Sequence, residues 1–124
     1  MRSVTFPKDV LQLLDRTQEV DIETRSASGA THRVPIWVVV SGDDVFVRSW
    51  KGSQAVWYRR LLARDGALVA GRRRIPVRAV RATDAESVRR TSDGFRTKYR
   101  HSRSTPSMVR EEILGTTIRL EPAD

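Results

Sequence analysis

The densest concentration of chemically useful side chains is the run Arg48-Ser49-Trp50-Lys51-Gly52-Ser53-Gln54-Ala55-Val56-Trp57-Tyr58-Arg59-Arg60. Cations, hydroxyls, a glycine and aromatics follow one another where a strand pattern gives way to a helix pattern. That mixture suits an anionic phosphate. Arg48 and Lys51 supply charge and donors. Gly52 lets backbone N–H groups approach closely. Ser53 is placed to cap the following helix, whose N-terminus attracts negative charge. The same residues also describe a solvated strand end followed by an amphipathic helix with Trp57 in the core, and the pattern alone gives the two readings equal weight.

Other candidates are scattered. Tyr99, between Lys98 and Arg100, could donate a hydrogen bond to a substrate carbonyl or nitro group; a tyrosine so placed more often anchors its helix to the core. Arg25 and Arg33 flank a hairpin and could reach a cleft, or be ordinary exposed strand arginines. Trp37 could stack on a ring, although its apolar neighbours favour a core position. Ser49 and Trp50 alternate on a strand, so one of them faces outward, and an outward Trp50 would mark a partner surface or a cofactor wall.

Much chemistry is excluded. The chain has no cysteine, which removes disulfides, thiolate metal sites and thiol catalysis. Its two histidines, His32 and His101, have no metal-ligand spacing, so no metal is expected. No nucleophile elbow and no glycine-rich phosphate loop occurs. An enzyme made of these residues would draw its chemistry from a cofactor.

At 124 residues, 39% hydrophobic and 31% charged, the chain is expected to form a single globular domain over residues 1–124. The N-terminus lacks the apolar run of a signal peptide, and no stretch approaches the about 18 apolar residues of a membrane span. A cytoplasmic location is the expectation. The net charge of +8 sits in one stretch: residues 72–103 carry 11 basic and 3 acidic groups. Its densest part is Arg72-Arg73-Arg74. Nucleic acid is an unfavoured partner, because the stretch holds only Phe95 and Tyr99 as aromatics and no recognition motif accompanies it.

The elements that must position these residues can be read from periodicity. Val10, Leu11, Leu13 and Leu14 share a helical face after Pro7. Val20, Ile22 and Thr24 alternate with polar residues as a half-buried strand does. The nearly continuous run Arg33–Val40 reads as a central strand, with Pro35 near its start. Val45–Trp50 is the returning strand. Ala55–Leu62 is helical and ends at Asp65-Gly66. Residues 67–70 and 75–80 form a hairpin across Gly71–Arg74. Thr83 and Glu86 match a capping box for a helix that aligns Val88, Phe95 and Tyr99 and carries Gly94 in its middle. Pro106 opens a short helix ending at Gly115, and residues 116–120 form the last strand. The order is one helix, three strands, a helix, two strands, two helices and a strand. Hairpin-length turns make the sheet mostly antiparallel, and six short strands invite closure into a barrel.

The 48–60 segment, together with Thr24-Arg25-Ser26, Arg33–Val40 and Lys98-Tyr99, resembles a small uncharacterised bacterial family of the FMN-binding split barrels, near the deazaflavin-dependent nitroreductases and the pyridoxamine-phosphate oxidase-like proteins. The likeness spans most of the chain. The string of strand, Arg-Ser-aromatic, Gly and Trp-Tyr is its most specific part. The resemblance implies an α+β fold with a six-stranded, mostly antiparallel split β-barrel and flanking helices. It also implies a homodimer with FMN or a deazaflavin cofactor in a cleft at the interface. The phosphate would sit by Lys51-Gly52-Ser53, assisted by Arg48 and Ser49, with Trp57-Tyr58 shaping the cleft and Arg25 nearby. The function so implied is a nitroreductase-like oxidoreductase acting on a small organic substrate. A non-catalytic cofactor-binding or dimerising barrel is the alternative, and a nucleic-acid-binding protein using residues 72–103 is a more distant one.

Overall fold

The structure, a computed structural model, describes residues 5–123. Helix α1 (Lys8–Arg16) follows Pro7 and buries Val10, Leu11 and Leu14. Strands β1 (Val20–Arg25), β2 (Thr31–Ile36), β3 (Val39–Ser41) and β4 (Asp44–Val47) come next. Helix α2 (Val56–Ala63), strands β5 (Gly66–Ala70) and β6 (Arg73–Arg81), helices α3 (Ala85–Lys98) and α4 (Thr105–Met108), and strand β7 (Ile118–Pro122) complete the order. Short 3-10 turns at Gly52–Gln54 and Glu111–Thr116 precede α2 and β7.

All seven strands lie in one antiparallel sheet, ordered β2-β1-β5-β6-β7-β4-β3. Strands β2 and β3 are consecutive in the chain yet occupy opposite edges. Three residue steps separate Ile36 from Val39, a reach of about 11 Å at most. The sheet must therefore curl until its edges nearly meet, giving a half-barrel. Val38, Ile22, Leu68, Val77, Ile118 and Leu120 fill it, with Leu14 of α1 and Leu61 of α2 packed against them. A second cluster of Val39, Phe95, Tyr99, Met108 and Ile113 lies beneath α3 and α4.

The expected six strands are thus seven. The run Arg33–Val40 is not a central strand; it breaks at Trp37-Val38 into two edge strands. The backbone groups of Val38 that a ladder would have used are taken by side chains. Val38 N–H donates to the Tyr99 hydroxyl at 3.2 Å, and its carbonyl accepts from Lys98 Nζ at 2.7 Å. Strand β2 is exposed along residues 31–35. Strand β4 stops at Val47, because Ser49 N–H turns to the Thr116 hydroxyl (3.0 Å).

Helix starts differ as well. Asp84, not Thr83, caps α3, accepting from Ser87 N–H at 3.0 Å. Ala55 occupies the N-cap of α2 with no side-chain cap, and Ser53 lies in the preceding 3-10 turn instead. The expected helix after Pro106 is α4 followed by a separate 3-10 turn. Helix α3 runs unbroken through Gly94, where a Cβ would come within 2.1 Å of Val39 Cγ1. Glycine there lets α3 settle directly onto β3.

Candidate cofactor cleft

A cleft of about 600 Å³ opens beside the strand break. One wall is Val34-Pro35-Ile36-Trp37 from β2 and the break. The other comprises Trp50, Lys51, Ala55, Val56 and Trp57 from the turn into α2. Arg48, Met108, Ser104 and Glu19 complete the lining. The volume lies within the range of small-molecule sites, and the lining is mostly apolar with a few polar groups.

Each wall has a local cause. Gly52, at φ +79°, allows the sharp turn that ends β4's extension. Gly52 N–H donates to Ser49 O (3.0 Å), and the Ser49 hydroxyl donates to Gly52 O (2.6 Å). Arg110 holds the Trp50 carbonyl from outside. Trp50 is thereby left 55% exposed while Ser49 is fully buried. Val34 and Val56, the other large apolar residues exposed among those described, line the same cleft. Trp37 is half-buried and stacks on Tyr99, with ring centroids 3.9 Å apart and planes within 3°.

Arg48 is 1% exposed. Its Nε donates to the Thr117 hydroxyl (2.8 Å), Nη1 to the Ser92 hydroxyl (2.8 Å) and Met108 O (3.1 Å), and Nη2 to Val88 O (2.8 Å). The Phe95 ring lies 5.7 Å from its guanidinium carbon. Four of the five guanidinium hydrogens are used, all on neutral acceptors. No carboxylate pairs with Arg48 among the described residues. Burial, with a smaller contribution from Arg96, lowers its pKa to about 10. It stays charged at neutral pH, an uncompensated cation at the base of the cleft. Lys51 at the rim is exposed and makes no ion pair or hydrogen bond among the described residues.

The cleft therefore brings together Arg48, Lys51, Trp57, Trp37 and Trp50 of the residues singled out from sequence. Gly52 and Ser53 shape the adjoining turn without lining the cleft. Ser49 is buried beneath it, and Tyr58 lies in the core with its hydroxyl accepting from Arg81 (3.3 Å). Arg25 lies elsewhere, between the β1–β2 hairpin and α2. Tyr99 is 4% exposed. Its hydroxyl accepts from Val38 N–H and donates to Gln18 O (2.5 Å), and burial pushes its pKa up to about 12. That geometry is the helix anchor, not a donor aimed at a ligand.

The β2 wall was missed from sequence because a continuous apolar run reads as buried. The surroundings of Arg48 were missed as well: its partner Ser92 is one of three polar residues, with Ser87 and Thr91, that α3 buries, and nothing local in the sequence marks them as buried. No cluster of metal-ligating side chains occurs among the described residues. None of the helices described is long and apolar enough to cross a membrane.

A curled antiparallel half-barrel with flanking helices, opening on an apolar, cation-based cleft, has the architecture of a split-barrel protein. Solved structures agree on the fold. A candidate 5-nitroimidazole antibiotic resistance protein from Bacteroides thetaiotaomicron has a TM-score of 0.66 at 13% identity, over 98% of this chain and 82% of that one. HutZ, the heme storage protein from Vibrio cholerae, has 0.60 at 12%, over 94% and 89%. An F420 reductase has 0.59 at 15%, over 96% and 97%. The chain belongs to the bacterial family DUF2255, described as an uncharacterised protein conserved in bacteria, which matches residues 10–120. A comparison with curated proteins gives no significant match.

Proposed function

We propose that this protein binds a flavin or deazaflavin cofactor in the cleft and acts as a nitroreductase-like oxidoreductase on a small organic substrate. The observation that carries the reading is the uncompensated Arg48 cation beneath a cleft walled by Trp37, Trp50 and Trp57. A flat ring with an anionic tail matches both features. Trp50 and Trp57 would wall the ring. Lys51 and the free Arg48 hydrogen would attract the phosphate, with Gly52 and Ser53 keeping the turn in shape. The bound cofactor would supply hydride transfer; the protein would supply position, charge and exclusion of water. The exposed Val34, Trp50 and Val56 around the cleft fit a second copy of the chain covering it, so we propose a homodimer. A cytoplasmic site of action follows from the need for reduced cofactor.

A second reading, a non-catalytic cofactor-binding barrel, is favoured by one observation. The Tyr99 hydroxyl, the candidate substrate donor, is fully engaged with backbone. Nucleic-acid binding is weakened because Arg73 pairs with Asp9 and Arg74 with Glu23.

The test is titration with FMN and with a deazaflavin cofactor, followed by ring fluorescence. Saturable micromolar binding, weakened at least tenfold in Trp50→Ala and in Lys51→Ala, is expected. Failure of both cofactors to bind refutes the cofactor reading. Binding without turnover of nitro or quinone substrates selects the non-catalytic one.

A further inference from the structure

Beyond Val56, on the other side of the cleft wall, a groove of about 380 Å³ runs between α2 and the β1–β2 hairpin. Helical spacing puts Val56, Arg59, Arg60 and Ala63 on one face of α2, opposite the buried Trp57, Tyr58 and Leu61. Arg64 follows and donates to Ser26 O of the hairpin at 3.3 Å. Arg25 closes the groove from the end of β1. The short side chains of Ala27 and Ala63 leave the space open between the cations.

Four guanidiniums thus share one groove whose lining contains no carboxylate. The side chains of Arg25, Arg59 and Arg60 make no hydrogen bond or ion pair among the described residues. The acids nearby do not offset them. Glu23 is held by Arg33 and Arg74 (3.2 and 2.8 Å), and Asp65 lines the adjoining hollow on the far side of Arg64. Other arginines, among them Arg73, Arg78, Arg89, Arg90, Arg96 and Arg119, have acidic partners. The groove differs in gathering four guanidiniums in one lining without a carboxylate. Forked guanidiniums are suited to phosphate and carboxylate oxygens.

We propose that this groove is a binding site for a small polyanion, an oligophosphate or oligocarboxylate group. It is separate from the single-phosphate position at Lys51. Because Val56 borders both cavities, one ligand can extend from the cleft into the groove; only that extension rests on the cofactor reading above.

Calorimetric titration of the full chain at low salt, where surface charges are least screened, tests this with inorganic tripolyphosphate, tricarballylate and inorganic phosphate. A multiply charged probe should bind at least tenfold more tightly than phosphate. Arg59→Gln/Arg60→Gln, on the exposed helix face, should weaken it at least tenfold with unchanged circular dichroism. Arg25→Gln should weaken it in the same direction, and Lys51→Ala should leave it within twofold. The better of the two multiply charged probes assigns the anion class. Equal binding by parent and double variant, or no preference for multiple charge, overturns the proposal. FMN titration of the same double variant separates the two sites. Unchanged FMN affinity with lost tripolyphosphate binding supports the groove, and tripolyphosphate binding without FMN binding leaves it standing while the cofactor reading falls.

Discussion

Replacing Tyr99 with phenylalanine separates an anchoring tyrosine from a substrate-facing one. The substitution keeps the ring, so the stack on Trp37 and the contact with Phe95 persist. It removes one oxygen with three backbone partners, Val38 N–H, Gln18 O and, at 3.3 Å, Val38 O. Gln18 is exposed, so its carbonyl can turn to water. The Val38 carbonyl keeps Lys98 Nζ. The Val38 amide, buried at the strand break, has no replacement. Leaving one buried donor unsatisfied costs about 1–3 kcal/mol. The expected loss is about 2 kcal/mol, or a fall in Tm of roughly 5–10 °C for a chain of this size. Urea unfolding followed by tryptophan fluorescence reads the first number and a thermal melt the second. FMN affinity, where measurable, should stay within twofold, since the hydroxyl does not line the cleft. A variant as stable as the parent whose substrate turnover has collapsed would refute this reasoning and return Tyr99 to the reacting centre.

Gly94→Ala should destabilise by about 1–3 kcal/mol through overpacking against Val39, more than the up to about 1 kcal/mol gained in helix propensity. Adding Val39→Ala should recover part of that loss, and simple additivity in chemical unfolding would argue against the contact. Glu23 is held below its usual pKa, first by the hydrogen bond from Arg74 and then by Arg33, against the opposing effect of burial. Its stabilisation is therefore present above about pH 4.5 and lost as pH falls through the lower folded value. The variant Glu23→Gln should show a shallower acid limb in unfolding at pH 2–5. Burial lowers the Lys98 pKa from 10.5 to about 8, so the unfolded chain binds that proton more tightly. Stability should rise with pH between about 8 and 10, until Tyr99, held near 12 in the fold, begins to oppose it above 10. Lys98→Met should flatten the rise when unfolding is compared at pH 7.5 and 9.5.

What was readable in the sequence is what depends on neighbours in the chain. The faces of α1 and α2, the strand β1, and the β5–β6 hairpin all rest on local periodicity, and each is present in the structure, although β1 buries Glu23 on the face read as polar. The opposition of Ser49 and Trp50 is present too, but only the structure shows that Trp50 is the one facing outward. The strand break at Trp37-Val38 was not legible, because its cause is two side chains about 60 positions away on α3. The burial of Arg48 was hidden for the same reason. Its partners stand at positions 88, 92, 108 and 117, and an arginine after Val45-Phe46-Val47 reads as the solvent end of a strand. The cleft was half legible: the turn after β4 announced one wall, while the β2 wall looked like core.

The place of β7 in the sheet has a consequence for how the chain assembles. Strands β2, β1, β5 and β6 form one block and β4 and β3 another, and every ladder contact between the blocks runs through Ile118–Pro122. That strand follows all the others in sequence. Its pairing with β4 closes a loop of about 70 residues, whose entropy is spent before the contacts form. Until then the facing edges of β4 and β6 are unpaired, and unpaired edges recruit other chains. Joining the two blocks should therefore be the slow step of folding, and the nascent protein most prone to self-association until those five residues lie down between them.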